Sequence, residues 1–349
     1  MKKNEITEID EVSEMEEMNE GIEALEKIKS LTKKEISLNH LCKELNLNEY
    51  EVLGLIRELR EEGINILTQI RDNDIYMLNH GEIELDDKKE FSFDTNGNRE
   101  FKFVAISDTR FGSKSQQLSI LNDIYVKAKE LGYENVILCG NISEGLYPLK
   151  SIYSESNFID DTMAQVDYIV KNYPRVKGIK TYFITGPKDE KHLNKNGINI
   201  GKRISELRKD LIYLGDKSCE VTIDKTKMLV FNTKLSKTYT VSYRTQQQVD
   251  SFRSEDKPDI LLFGGLLQLE KYTYRNVNCL SVPSVCATTK EMNDKRYSNT
   301  IGAWYVTVKT DSNGNLKSVR AMDSIYYKTS KEDYINPKTL KLTKNKGDK

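Results

Sequence analysis

One stretch constrains this chain more than any other: Phe103-Val104-Ala105-Ile106-Ser107-Asp108-Thr109-Arg110-Phe111-Gly112. An apolar run leads straight into a loop that carries a carboxylate and a basic side chain. A buried parallel strand reads this way, and its C-terminal end is where an α/β protein presents chemistry. Residues 135–141, 180–189 and 259–268 repeat the pattern, each an apolar run followed by glycine and then a functional-looking position. Four such strand ends on one sheet edge would make a single site. The expected fold class is therefore α/β.

The 349 residues, 38% of them hydrophobic, are enough for one large core and a smaller satellite. Charged residues make up 31% yet sum to −1, so no global field draws the chain to nucleic acid or membrane. No apolar run reaches the roughly 20 residues that a membrane span needs, and the first residues lack a signal-peptide core. The expectation is a cytoplasmic protein without a membrane partner. Cys42, Cys139, Cys219, Cys279 and Cys286 are odd in number and lack C-x-x-C spacing, so they read as reduced thiols.

Residues 1–32 are acidic, with Ile6, Ile9, Val12, Met15, Met18, Ile22, Leu25 and Ile28 three or four apart. The segment reads either as a disordered acidic tail or as an amphipathic docking or oligomerising helix. Residues 33–80 carry two helical stripes, Leu38, Leu41, Leu45 and Val52, Leu55, Ile56, Leu59, the second opened by Asn48 and Glu51 at capping-box spacing. Two strand-like runs follow, 64–70 and 75–78. Helix, turn, helix and hairpin in that order resemble a winged helix-turn-helix. Arg57, Arg60 and Arg71 are its candidate DNA contacts, opposed by Glu49, Glu51, Glu58, Glu61 and Glu62 on the second helix. DNA and a protein partner are alternatives for this module. Residues 81–99 read as a linker or short hairpin, 100–328 as the main domain, and 329–349 as a lysine-rich solvated tail.

Within 100–328 the pattern predicts helices over 116–131, 161–171, 200–211 and 239–251. It predicts a hairpin around Asp224-Lys225 and closing strands over 276–285 and 303–308. Over this span the chain resembles the calcineurin-like metallophosphoesterases. The resemblance implies a sandwich of mixed β-sheets flanked by helices, here preceded by a small winged-helix domain. It also implies a dinuclear site built from Asp-x-His, Gly-Asp, Gly-Asn-His-Asp/Glu, a lone His and Gly-His-x-His at strand ends. Two cations about 4 Å apart need a bridging carboxylate and neutral imidazoles.

Aligned to those motifs, Asp108-Thr109-Arg110 keeps the aspartate and replaces the histidine, and Gly140-Asn141 replaces the bridging carboxylate by an amide. Gly186-Pro187-Lys188-Asp189 loses two ligands, the lone histidine falls on Asn232, and Gly264-Gly265-Leu266-Leu267 offers none. Of three histidines, His40 and His80 lie in the winged-helix region, leaving His192. The resemblance thus implies a pseudoenzyme with no catalytic residue, metal or cofactor, acting as a scaffold or regulatory subunit in association with nucleic acid or protein. Two alternatives stand beside it: an active phosphoesterase or nuclease with an atypical site, and a phosphate-sensing or docking module. Arg110 and Lys188 are the candidate anion-binding pair, and either a salt bridge to Asp108 or a bound phosphate would satisfy them. Ser107, Thr109 and Ser143 are expected to lack a nearby histidine base.

Overall fold

A computed structural model of the chain describes residues 23–61, 64–71, 74–82, 90–148, 150–234, 240–254 and 256–335. The expected helix or tail over 1–22 and the lysines beyond 335 lie outside the described residues. The chain divides into two compact units, Met1–Asp87 and Lys88–Lys349.

The smaller unit begins with helix α1 over 23–31, then strand β1 (Ile36–Ser37) and helix α2 (Leu38–Leu45). Ser37 caps α2 by accepting from the His40 N–H, and Asn46 ends it in the left-handed region at φ 54°. Helix α3 (Glu49–Glu61) starts with the reciprocal bonds that its sequence predicts: the Glu51 N–H donates to Asn48 Oδ1 (3.1 Å) and the Asn48 N–H to Glu51 Oε2 (2.8 Å). Strands β2 (Ile64–Arg71) and β3 (Asp74–Glu82) pair antiparallel, and β1 adds to β3. Ile28, Leu41, Val52, Ile56, Leu59, Ile66 and Met77 form the core. Ile28 is fully buried there, so residues 23–31, which the sequence reading assigned to the acidic segment, pack with the helices after them.

The larger unit is a two-sheet sandwich. In one sheet β5 (Glu100–Ile106), β6 (Asn135–Cys139), β7 (Lys180–Thr185) and β8 (Leu211–Asp216) run parallel. The sheet continues antiparallel on the other side of β5 through β14 (Gly302–Thr310) and β15 (Leu316–Ile325). In the other, β10 (Thr226–Asn232), β11 (Ile260–Gly264) and β13 (Val277–Ser281) are parallel. There β9 (Ser218–Ile223) is antiparallel to β10 and β12 (Glu270–Tyr274) to β13, and β4 (Glu90–Phe93) lies parallel to β9 at the edge. Alternation along each strand sends Phe103, Ala105, Ile137 and Ile184 inward against Val221, Val230, Leu262 and Leu280. The opposite residues, Val104, Ile106, Val136 and Leu138, face α4 (Leu118–Glu130), α5 (Thr162–Asn172) and α7 (Ile200–Leu207). Helix α8 (Val241–Asp250) covers the second sheet through Val249 against Leu261 and Phe263. This is the sandwich of mixed sheets that the resemblance implied.

Three boundaries differ from the sequence reading. The expected linker contains β4, held by Phe91 and Phe93, whose rings lie 5.1 and 4.9 Å from that of Tyr182. The helix expected over 200–211 stops at Leu207, because Arg208 turns inward to Asp210 and to the carbonyls of Val170, Tyr173 and Pro174. The tail's first residues pack: Asp333 is 1% exposed and accepts from the Ser119 N–H and hydroxyl at the start of α4.

Candidate functional site

The loops leaving β5 and β6 are stitched together by their own backbones. The Asp108 N–H donates to Gly140 O (3.1 Å), the Arg110 N–H to Asn141 O (3.1 Å) and the Phe111 N–H to Ile142 O (2.8 Å). Asp108, Arg110 and Asn141 all sit in the left-handed region, at φ 51°, 47° and 57°. For an arginine that conformation costs about 1–2 kcal/mol and persists only where the surroundings enforce it. Leu267, after β11, is left-handed too (φ 61°).

The side chains at these strand ends form a buried ion-pair chain. Arg110 Nε and Nη2 each lie 3.0 Å from Asp108 Oδ1, and Nη1 lies 3.4 Å from Glu144 Oε2. Lys188 Nζ reaches Glu144 Oε1 (2.9 Å) and Glu291 Oε2 (2.6 Å), the latter from α9 (Lys290–Asp294). Lys295 closes the chain on Glu291 Oε1 (2.6 Å). Asp108 and Glu144 are fully buried. Tyr147 lies across the chain, its hydroxyl donating to Glu144 Oε1 (2.5 Å) and accepting from Lys188 (2.7 Å). Burial pushes the Glu144 carboxyl up, but Arg110 and Lys188 outweigh it and hold it below its ordinary value. The same two carboxylates hold the buried Arg110 firmly protonated.

The structure brings Asp108, Arg110, Asn141 and Lys188 together, with Arg110 in a salt bridge to Asp108 and Lys188 paired elsewhere. Lys188 contacts Glu144 and Glu291, whereas Asp108 is taken by Arg110 and by the Asn141 amide N–H (3.0 Å). Glu144 is the central carboxylate, a residue that the sequence reading did not place among the candidate site residues. Its signal was its place four residues after Gly140 in a strand-end loop. Both expected anion-binding cations already have carboxylate partners, so neither stands ready for phosphate. Pro187 lies in the turn after β7, half-buried. The Asn232 amide donates to Cys139 O, and Gly265 packs against Thr233 and Asn232. Leu267 is buried apolar wall. In the smaller unit Arg57 is exposed on α3, while the side chains of Arg60 and Arg71 lie outside the described residues.

One expectation is overturned. Ser143 has a histidine beside it: its hydroxyl lies 3.1 Å from His192 Nε2 and donates to Asp189 Oδ1 (2.7 Å). Helix α6 (Glu190–Asn196) turns His192 back over the strand-end loop, a proximity that linear spacing does not reveal. The group is sealed, for Ser143 and His192 are both fully buried. His192 Nδ1 is engaged with Thr162 (2.9 Å), and burial pushes the imidazole down to about 4. Asp189 ties three backbone N–H groups, of Ile142, Ser143 and Gly186. Burial raises it to about 6 although those bonds favour its charge. This cluster is a clasp between two loops, without access for a substrate.

The residues present do not fit two divalent cations. Asn141 uses Nδ2 on Asp108 and Oδ1 on the Lys188 N–H (3.0 Å). Among the described residues no group of three His, Cys, Asp or Glu side chains is placed to hold a metal ion.

No family model matches the chain, and no curated protein does. Among solved structures it is similar to a novel archaeal phosphodiesterase: 13% identity, 64% of this chain and 100% of that one, TM-score 0.37. It is also similar to zinc-complexed Vps29 from Entamoeba histolytica, at 13% identity over 64% of this chain and 99% of that one, TM-score 0.33. A third is the 5′-nucleotidase precursor from Thermus thermophilus, at 9% identity, 65% of this chain and 54% of that one, TM-score 0.33.

Proposed function

We propose that this chain is a metallophosphoesterase-like protein without hydrolytic activity, working as a scaffold or regulatory subunit, with a winged-helix module at its N-terminal end that associates with nucleic acid. The observation that carries the reading is the ion-pair chain Asp108–Arg110–Glu144–Lys188–Glu291 at the strand ends. A cation entering there would meet Arg110 and Lys188, and displacing Arg110 would leave the buried Asp108 without its cation, a loss of several kcal/mol. Ser143, the serine that lies beside a histidine, is sealed and held by Asp189 and so is not set up as a nucleophile. The left-handed loops are retained while the ligands are gone, which fits a surface used for recognition rather than chemistry.

The test is elemental analysis of the full chain after dialysis against manganese, together with phosphodiester and DNA hydrolysis assays. The expected result is no stoichiometric manganese, iron or zinc and no metal-stimulated turnover. About two metal ions per chain, with hydrolysis abolished by Asp108→Ala, would establish the active-enzyme alternative instead.

A further inference from the structure

Away from the ion-pair chain, a cavity of about 540 Å³ opens between residues 114–117, 287–301 and 325–331. That volume lies within the range of small-molecule sites, roughly 300–1,000 Å³. Among the described residues its charged lining is Lys114 and Lys331, with no carboxylate. Neither ammonium has an ion-pair partner among the described residues, unlike Lys188 and Lys295 of the neighbouring chain. The rest of the wall is rich in hydroxyls, including Ser115, Thr288 and Thr329, and carries Tyr327, which is 89% exposed.

The wall that holds Lys331 is anchored at three points. Gln117 and Ser330 exchange hydrogen bonds of 2.8 and 2.9 Å, Asp333 is clamped at the start of α4, and the Tyr334 ring packs 5.2 Å from that of Phe158. Lys114 and Lys331 give the lining a cationic character, and a phosphate bound there would gain charge-assisted bonds from both. The hydroxyl lining suits a polar ring, and an exposed tyrosine offers a stacking face.

We propose that this cavity binds a phosphate ester of a hydroxyl-bearing ring, as in a nucleotide or a sugar phosphate, with the phosphate between Lys114 and Lys331. The site is independent of the metal question, since none of its residues belongs to the ion-pair chain. Titration calorimetry of the full chain at low salt, with AMP, ribose 5-phosphate, inorganic phosphate and ribose, tests it. Both esters should bind saturably, phosphate at least about tenfold more weakly, and ribose not at all. Tighter binding of AMP, with the difference lost in Tyr327→Ala, assigns the site to nucleotides, whereas equal binding assigns it to sugar phosphates. Lys114→Ala with Lys331→Ala should cost the esters about tenfold or more while leaving the melting temperature unchanged. Asp333→Asn should weaken the esters and speed tryptic cleavage after Lys331, because it frees the wall. No saturable heat for either ester, or binding untouched by the double lysine variant, would overturn the proposal. So would phosphate binding as tightly as the esters, which would mean an adventitious ion only.

Discussion

Arg110 shows at the scale of one residue why the ion-pair chain is interdependent. It holds a strained left-handed backbone and a buried guanidinium, and two fully buried carboxylates compensate for both. Arg110→Ala therefore leaves Asp108 and Glu144 short of their main partner, and the expected loss is about 3–5 kcal/mol in urea unfolding. Lys188→Ala should cost clearly less, because its side chain is 13% exposed, Glu144 keeps Arg110 and Glu291 keeps Lys295. A loss below about 1 kcal/mol for Arg110→Ala, the value of a surface pair, would contradict this account of the chain. The sequence disclosed the charge reversals because they fall inside short motifs. It did not disclose their partners: Glu144 lies 34 residues from Arg110, and Glu291 lies 103 from Lys188. Pairing across such separations exists only once the loops are assembled.

At the scale of elements, glycine explains why part of the motif pattern survives without its ligands. A β-carbon on Gly264, the last residue of β11, would lie 2.1 Å from the backbone oxygen of Cys139, the last residue of β6. The two sheets touch there, and the Asn232 amide bridges the same point from β10. Gly264→Ala should accordingly cost about 3 kcal/mol or more through overpacking against rigid backbone. A melting temperature within experimental error of the parent protein would show that the sheets can part without penalty. The same packing decided which strands were legible. β6, β7, β11 and the second half of β5 are buried on both faces and read as largely apolar runs. β4, β12 and β15 lie at sheet edges with alternating exposure, and their mixed sequences were missed or blurred. The five-residue α9, which delivers Glu291 to the site, is too short for any helical period to show.

The chain divides into two units, and the proposed association with nucleic acid rests on the smaller one. The proposed winged-helix reading rests on its order of helix, strand, helix, helix and hairpin, and in that reading α3 would enter the groove. The apolar stripe of α3, Val52, Ile56 and Leu59, is spent on the unit's own core. What remains outward is Glu49, Tyr50, Glu51, Leu53, Arg57 and Glu58. Three carboxylates against one described arginine oppose a phosphate backbone, so neither high affinity nor base-specific readout is expected from this face. The full chain should retard a short DNA duplex only at low salt, with little preference among sequences, and release it near about 0.15 M salt. Arg57→Ala should weaken all duplexes equally and reduce the slope of log affinity against log salt by about 1, the mark of one lost phosphate contact. Tight, sequence-dependent binding that persists at high salt would mean that residues other than this face read the DNA. No retardation even at low salt would remove nucleic acid from the proposed function and leave the scaffold role to a protein partner.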